Sequence, residues 1–227
     1  ASMKDWRLIY IIFAKSEDKL YISNKNRQAY FVLLSVCIIF VRINLKNCNV
    51  MFDKETYVQR RALLKKNIGS GVLLFLGNDE QGLNYEDNAF RYRQDSTFLY
   101  YFGLSFAGLS AIIDIDEDKE IIFGDELTID HIVWMGTQPT LKEKSERVGI
   151  RETLPSVAII SYLHKAVQKG QTVHYLPPYR PEHKLKLMDW LGIPPARQEG
   201  SVPFIRAVVA QRNYKSAEEI AEIEKAC

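Results

Sequence analysis

The sequence predicts an α/β domain, a mixed β-sheet flanked by helices. Three observations carry that expectation. Short apolar runs bounded by glycines or turn residues alternate with longer helix-forming stretches, the pattern of strands alternating with helices. Two of the runs, 110–115 and 120–123, are joined by an acidic turn and form a hairpin. The 227 residues are 47% apolar and 26% charged, a globular composition with ample length for a hydrophobic core.

The elements follow in order. Asp53 can cap a helix over 54–67, with Tyr57, Ala62, Leu63 and Leu64 on its apolar face and Gly69 as its stop. Val72–Leu76, between Gly71 and Gly77, is wholly apolar and reads as a buried strand. The aromatic run Thr97–Phe102 reads as a strand, and the hairpin follows it. A helix is expected over 140–147, ending at Gly149, and another from Pro155 or Ser156 to Gln168, ending at Gly170. Val173–Leu176 reads as a short strand, and Pro181–Leu191 as a helix with proline at its start. The stretch from Gly192 to Pro203 is a Pro/Gly-rich loop. Ile205–Ala210 reads as a strand. Ser216 caps a final helix, with Glu219 completing a capping box.

Charge is unevenly distributed. Residues 1–50 hold eight Lys/Arg against three Asp/Glu, leaving 22 against 25 in residues 51–227. A mildly acidic body argues against nucleic acid as a partner. Cys37, Cys48 and Cys227 are an odd number without close spacing and read as reduced thiols. Ala29–Val41 is apolar apart from Ser35, but thirteen residues are too few to span a bilayer, which needs about 20. Residues 1–50 form an atypical N-terminal extension, and Met51 is an equally good natural start. No membrane role is expected.

Chemistry is sparse. No CxxC, HExxH or GxSxG motif is present. Asp114–Asp118 resembles the opening of a calcium loop, but Lys119 and Asp125 stand where the glycine and the bidentate glutamate belong, so a solvated turn is expected. Gly69-Ser70-Gly71 precedes a strand and reads as a turn, not a phosphate cradle. The four histidines, His131, His164, His174 and His183, are scattered and read as surface or packed residues. The densest polar cluster is Asp87–Ser96, read either as a polar site or subunit contact, or as an ordered loop satisfying backbone groups. Trp134, before Gly136, reads as core or as an anchor for a ligand or a neighbouring subunit.

Several segments together resemble the N-terminal domain of Xaa-Pro aminopeptidases, in the creatinase/prolidase-like metallopeptidase family. Tyr57, Arg60, Arg61 and Leu64 match the opening helix. The stretch from Tyr92 to Gly103 is similar to the YRQxSxFxYxxG signature, Ile132–Gly136 to the IWxG-type segment, and Arg212–Ile220 to RxxKSxxEI. The resemblance covers Met51 to Cys227. It implies a creatinase-type N-terminal domain with a ribonuclease H-like motif over 51–211 and the start of a truncated catalytic domain over 212–227.

The resemblance further implies a parent hydrolase that removes the residue before an N-terminal-proximal proline. Two divalent metal ions, usually manganese, would be held by two Asp, one His and two Glu in a C-terminal domain absent from this chain. The chain alone is then non-catalytic, and shapes the active-site mouth and the contacts of a cytoplasmic homo-oligomer. Peptides with proline second are the implied substrates. Trp134 corresponds to an aromatic position that reaches a neighbouring subunit's cleft, while Arg93 and Gln94 are structural or interfacial. Dipeptidase or amidinohydrolase activity is disfavoured by the YRQ signature. The alternative is a non-enzymatic protein-binding module of the same fold group, its docking face the aromatic segment and the arginine cluster.

Overall fold

A computed structural model describes residues 50–85, 88–136 and 138–227. The extension over 1–50, with Ala29–Val41, lies outside the described residues apart from Val50, as does Asp87. Five strands form one sheet: β1 (Val72–Leu76), β2 (Ser110–Asp114), β3 (Lys119–Phe123), β4 (Glu152–Leu154) and β5 (Val173–Tyr175), in the order β4-β3-β2-β1-β5. β1, β2 and β3 pair antiparallel, with Leu74 opposite Ile112 and Ile112 opposite Ile121. β5 and β4 join the two edges in parallel. The sheet is therefore mixed, as the sequence predicts.

The two-residue period of the strands sorts their side chains between two cores. Leu73, Phe75, Ala111, Ile113 and Ile122 face one core, shared with α1 (Lys54–Ile68), α2 (Ser96–Phe102) and α7 (Val202–Asn213). Val72, Leu74, Ile112, Ile121 and Phe123 face the other, packed by α5 (Ala158–Gln168) and α6 (Pro181–Leu191). Two short helices, α3 (Ile129–Met135) and α4 (Leu141–Glu146), lie between β3 and β4, and α8 (Ala217–Ala226) ends the chain. Neither β4 nor α3 is expected from the sequence: one has three residues, the other seven.

Two expected strands are helices. Thr97–Phe102 belongs to α2 because its ends are written for a helix. Asp95 accepts bonds from the amides of Thr97 and Phe98, and Gly103 closes the last turn at φ 63°. Phe98, Tyr101 and Phe102 then fall on one buried stripe, at i, i+3 and i+4. Gly103 is required twice over, since a Cβ there would meet Tyr57 Cζ at 2.5 Å. Ile205–Ala210 belongs to α7, entered through Pro203, with Phe204, Ala207 and Val208 buried at helical spacing.

The first helix also departs from its expected face. Leu63 and Ala62 are exposed, and the buried stripe is Tyr57, Arg60, Arg61 and Leu64. Arg61 is fully buried. Its guanidinium donates to Glu120 Oε2 at 2.7 Å and to the carbonyls of Tyr101 and Val148 at 2.9 Å each. A fork of fixed donors thus joins α1 to β3, to the end of α2 and to the loop before β4.

The acidic turn after β2 is a turn, but Asp114 is buried. Its Oδ1 accepts from the Glu117 amide at 3.1 Å and Gln171 Nε2 at 3.0 Å, and its Oδ2 from the Tyr162 hydroxyl at 2.9 Å. Among the described residues no helix is long and apolar enough to cross a membrane.

Candidate functional site

Two features stand out at the surface of the α/β unit: the loop before α2 and the exposed face of α3. The loop is organised by Gln94, which is 3% exposed. Its Oε1 accepts from the amides of Asn78 at 2.8 Å and Asp95 at 2.9 Å. Its Nε2 donates to the carbonyls of Leu104 at 3.2 Å and Phe106 at 3.0 Å. All the hydrogen-bonding capacity of one amide is spent on backbone, holding together the chain after β1, the start of α2 and the chain after α2. The Tyr92 hydroxyl reaches the Phe106 carbonyl at 2.9 Å, reinforcing the same junction. Asn78 returns the tie, donating to the Arg93 carbonyl at 2.8 Å. Sequence reasoning missed Asn78, although its place directly after the strand-ending Gly77 is where backbone groups leave the sheet unpaired.

Arg93 behaves differently. Its side chain is exposed, and among the described residues its guanidinium forms no hydrogen bond or ion pair. The two neighbouring signature residues are therefore one internal tie and one outward charge.

Trp134 is 76% exposed on α3, so its core alternative fails. Ile129 at 79% and Val133 at 69% are exposed with it, and Ile132 is also open to solvent. Four large apolar side chains on one seven-residue helix are unusual for a surface, and such clustering marks contact sites more often than single exposed residues do.

His183, predicted as surface or packed, is packed. Its Nε2 lies 3.1 Å from the Gly77 carbonyl, and burial pushes its pKa below the ordinary histidine value. Among the described residues no three His, Cys, Asp or Glu side chains converge as a metal site. The carboxylates of the acidic hairpin are already engaged, Asp116 by the Gly71 amide and Gln171, and Glu117 by Lys119 and Lys169. Among the described residues the side chains do not fit a metal pair.

A mixed sheet covered on both faces, with this signature loop beside it, defines an α/β domain of the two-core, sheet-and-helix class. The chain belongs to the aminopeptidase P N-terminal domain family, whose model matches residues 57–175. A probable Xaa-Pro aminopeptidase of Chaetomium globosum is 30% identical over 112 residues, covering 48% of this chain and 18% of that protein. A Homo sapiens Xaa-Pro dipeptidase is 33% identical over 90 residues, covering 38% of this chain and 18% of that protein. Among solved structures, Pseudomonas aeruginosa aminopeptidase PepP superposes with a TM-score of 0.63 at 22% identity, over 76% of this chain and 41% of that one. The low-pH form of Escherichia coli aminopeptidase P gives 0.57 at 19%, over 75% and 41%. These structures share the fold. The matches span about a fifth of the curated relatives and two fifths of the solved chains.

Proposed function

We propose that this chain supplies the N-terminal, non-catalytic domain of a metal-dependent Xaa-Pro aminopeptidase, and that α3 shapes substrate access and subunit contact through Trp134. Residues 51–211 are the domain, and residues 212–227 open the catalytic one. The observation that carries this is the exposed apolar face of α3 in a chain of this family. A helix that packs little of its apolar surface at home has that surface available for a neighbour. Both aminopeptidases and dipeptidases are among the relatives; the YRQ-to-glycine segment is what favours the former.

On this proposal the protein acts on peptides with proline second, works in the cytoplasm as a homo-oligomer, and uses two divalent ions, manganese by preference, bound outside these residues. The ions would polarise the scissile amide and supply the hydroxide nucleophile. Arg93 offers an outward charge for a contact, while Gln94 keeps its loop in shape. The test is kinetic. In an enzyme that carries this domain, replacing Trp134 with alanine should lower kcat/KM on an Xaa-Pro peptide while leaving the fold intact. Unchanged kinetics and unchanged oligomeric mass would remove α3 from the site. The chain alone, given manganese and the same peptide, should release no amino acid.

A further inference from the structure

β1 and β5 run parallel and side by side, and the chain leaves them in opposite directions. From β1 it passes to α2, over one face of the sheet; from β5 it passes to α6, over the other. The carboxyl ends of two such strands border a crevice, the usual place for a small ligand in an open α/β sheet. Here the crevice is a cleft of about 340 Å³, within the range of small-molecule sites. Leu76, Pro177, Ile205 and Val208 give it apolar walls.

Two opposite charges also line it, Asp95 and Arg212, and neither has an ion-pair partner among the described residues. Thr97 touches both. Its hydroxyl accepts from Arg212 at 3.0 Å, and its amide donates to Asp95 Oδ1 at 2.9 Å. The guanidinium and the carboxylate thus bond to two atoms of the same residue, and form no ion pair with each other. Asp95 Oδ1 also accepts from Phe98, so Oδ2 is the oxygen left for another donor. Arg212 spends one N–H on Thr97 and lays its guanidinium near the Tyr100 ring, at 5.7 Å. Its remaining donors suit a carboxylate.

We infer that this cleft binds a small apolar α-amino acid as its zwitterion, the carboxylate on Arg212, the ammonium on Asp95 and the side chain against Ile205 and Val208. Only a ligand carrying both charges close together satisfies both groups. A simple anion would leave Asp95 facing it, and a simple cation would face Arg212.

The experiment is a chemical-shift titration of the full chain with L-leucine, L-leucinamide and N-acetyl-L-leucine, which differ by one charge at a time. L-leucine should saturate with a Kd of about 1 mM or below. Each of the other two should bind at least about tenfold more weakly. Arg212→Gln should reduce L-leucine to the level of leucinamide. Asp95→Asn, which keeps a helix-capping side chain, should reduce it to the level of N-acetyl-leucine. Val209→Trp, at an exposed position on the rim, should fill the cleft and abolish binding without disturbing the polar groups. No saturation by L-leucine at tens of millimolar overturns the inference. So does equal binding of all three probes, or binding that survives both Val209→Trp and the loss of Arg212.

Discussion

Arg60 on α1 and Glu219 on α8 form an ion pair at 3.3 Å, with both side chains largely buried. The guanidinium lies over the Tyr100 ring at 4.0 Å and near Phe52 at 4.7 Å, and donates to the Tyr100 carbonyl at 2.9 Å. Glu219 serves α8 as well. Its Oε2 accepts from the Ser216 amide at 2.9 Å, and the Ser216 hydroxyl caps the helix in return. One carboxylate therefore both starts the last helix and seats it against the first.

Glu219→Gln separates these two roles. Glutamine completes a capping box as glutamate does, so only the charge is lost. A pair this sheltered is worth more than a surface salt bridge. Local opening of α8 should become easier by about 1–2 kcal/mol, and its amides should exchange about 5–30 times faster. Hydrogen exchange read by mass spectrometry measures this. Glu219→Ala should add the cost of the lost cap, about 0.5–2 kcal/mol. Equal exchange in wild type and Glu219→Gln would mean that packing alone seats the helix.

Gln94 and Arg93 should respond in opposite ways. Gln94→Glu keeps the acceptor toward the Asn78 and Asp95 amides but turns the donor facing the Leu104 and Phe106 carbonyls into a second acceptor. A buried charge against two carbonyls should cost about 3 kcal/mol or more. Gln94→Leu, which leaves the same backbone groups unpaired, should cost about 2–4 kcal/mol. Arg93→Gln, at an exposed side chain, should stay within about 0.5 kcal/mol. Urea midpoints of the three variants decide it, and similar losses at both positions would contradict the division of roles.

The same contrast shows what was legible from residues alone. Helix-forming composition and the Gly69 stop located Lys54–Ile68, although Asp53 makes no side-chain cap bond and the expected face was wrong; turn and cap signals located the hairpin, Pro181–Leu191 and the Ser216 capping box. Legibility failed where side-chain type and period disagree. Thr97–Phe102 is rich in β-favouring aromatics, yet Asp95 and Gly103 were the stronger signals because they act on the backbone directly. Ile205–Ala210 is β-branched and apolar, but Phe204, Ala207 and Val208 need a helix to share one face. The burial of Arg61 has no local signature. It depends on carbonyls at Tyr101 and Val148 that only the fold brings near. The cleft at the ends of β1 and β5 was invisible for the same reason: Asp95 caps Thr97 locally, but Arg212 reaches Thr97 from a segment far along the chain.

His183 makes stability depend on pH. Burial lowers its pKa in the folded chain, and the bond to the Gly77 carbonyl only partly opposes this. His174 shifts the same way, also through burial. The unfolded chain then takes up protons near the ordinary histidine value of about 6.5 while the folded chain does not. More protons bound in the unfolded state means that stability rises with pH. Stability should therefore fall on acidification below about pH 6.5, by at most about 1.4 kcal/mol per pH unit for each histidine, and level off below the folded-state values. Urea midpoints between pH 7.5 and 5.5 test the slope. His183→Gln, which can still donate to Gly77, should flatten it, and a slope unchanged by that substitution would assign the effect elsewhere.

Trp134 is the position where folding and function should separate. At 76% exposure the ring contributes little to the core, so Trp134→Ala should change the urea midpoint of this chain by no more than about 0.5 kcal/mol. Its neighbours Ile129 and Val133 are as open, and an apolar cluster of this kind gains most when a partner covers it. If α3 docks on a second subunit, losing the indole should cost about 2 kcal/mol or more of association, the scale of an aromatic anchor at the centre of an interface. Sedimentation of the longer enzyme against concentration measures that directly. Dissociation with an intact fold supports the contact. A destabilised fold with unchanged mass would instead make Trp134 a structural residue and leave Ile129 and Val133 as the surface to examine.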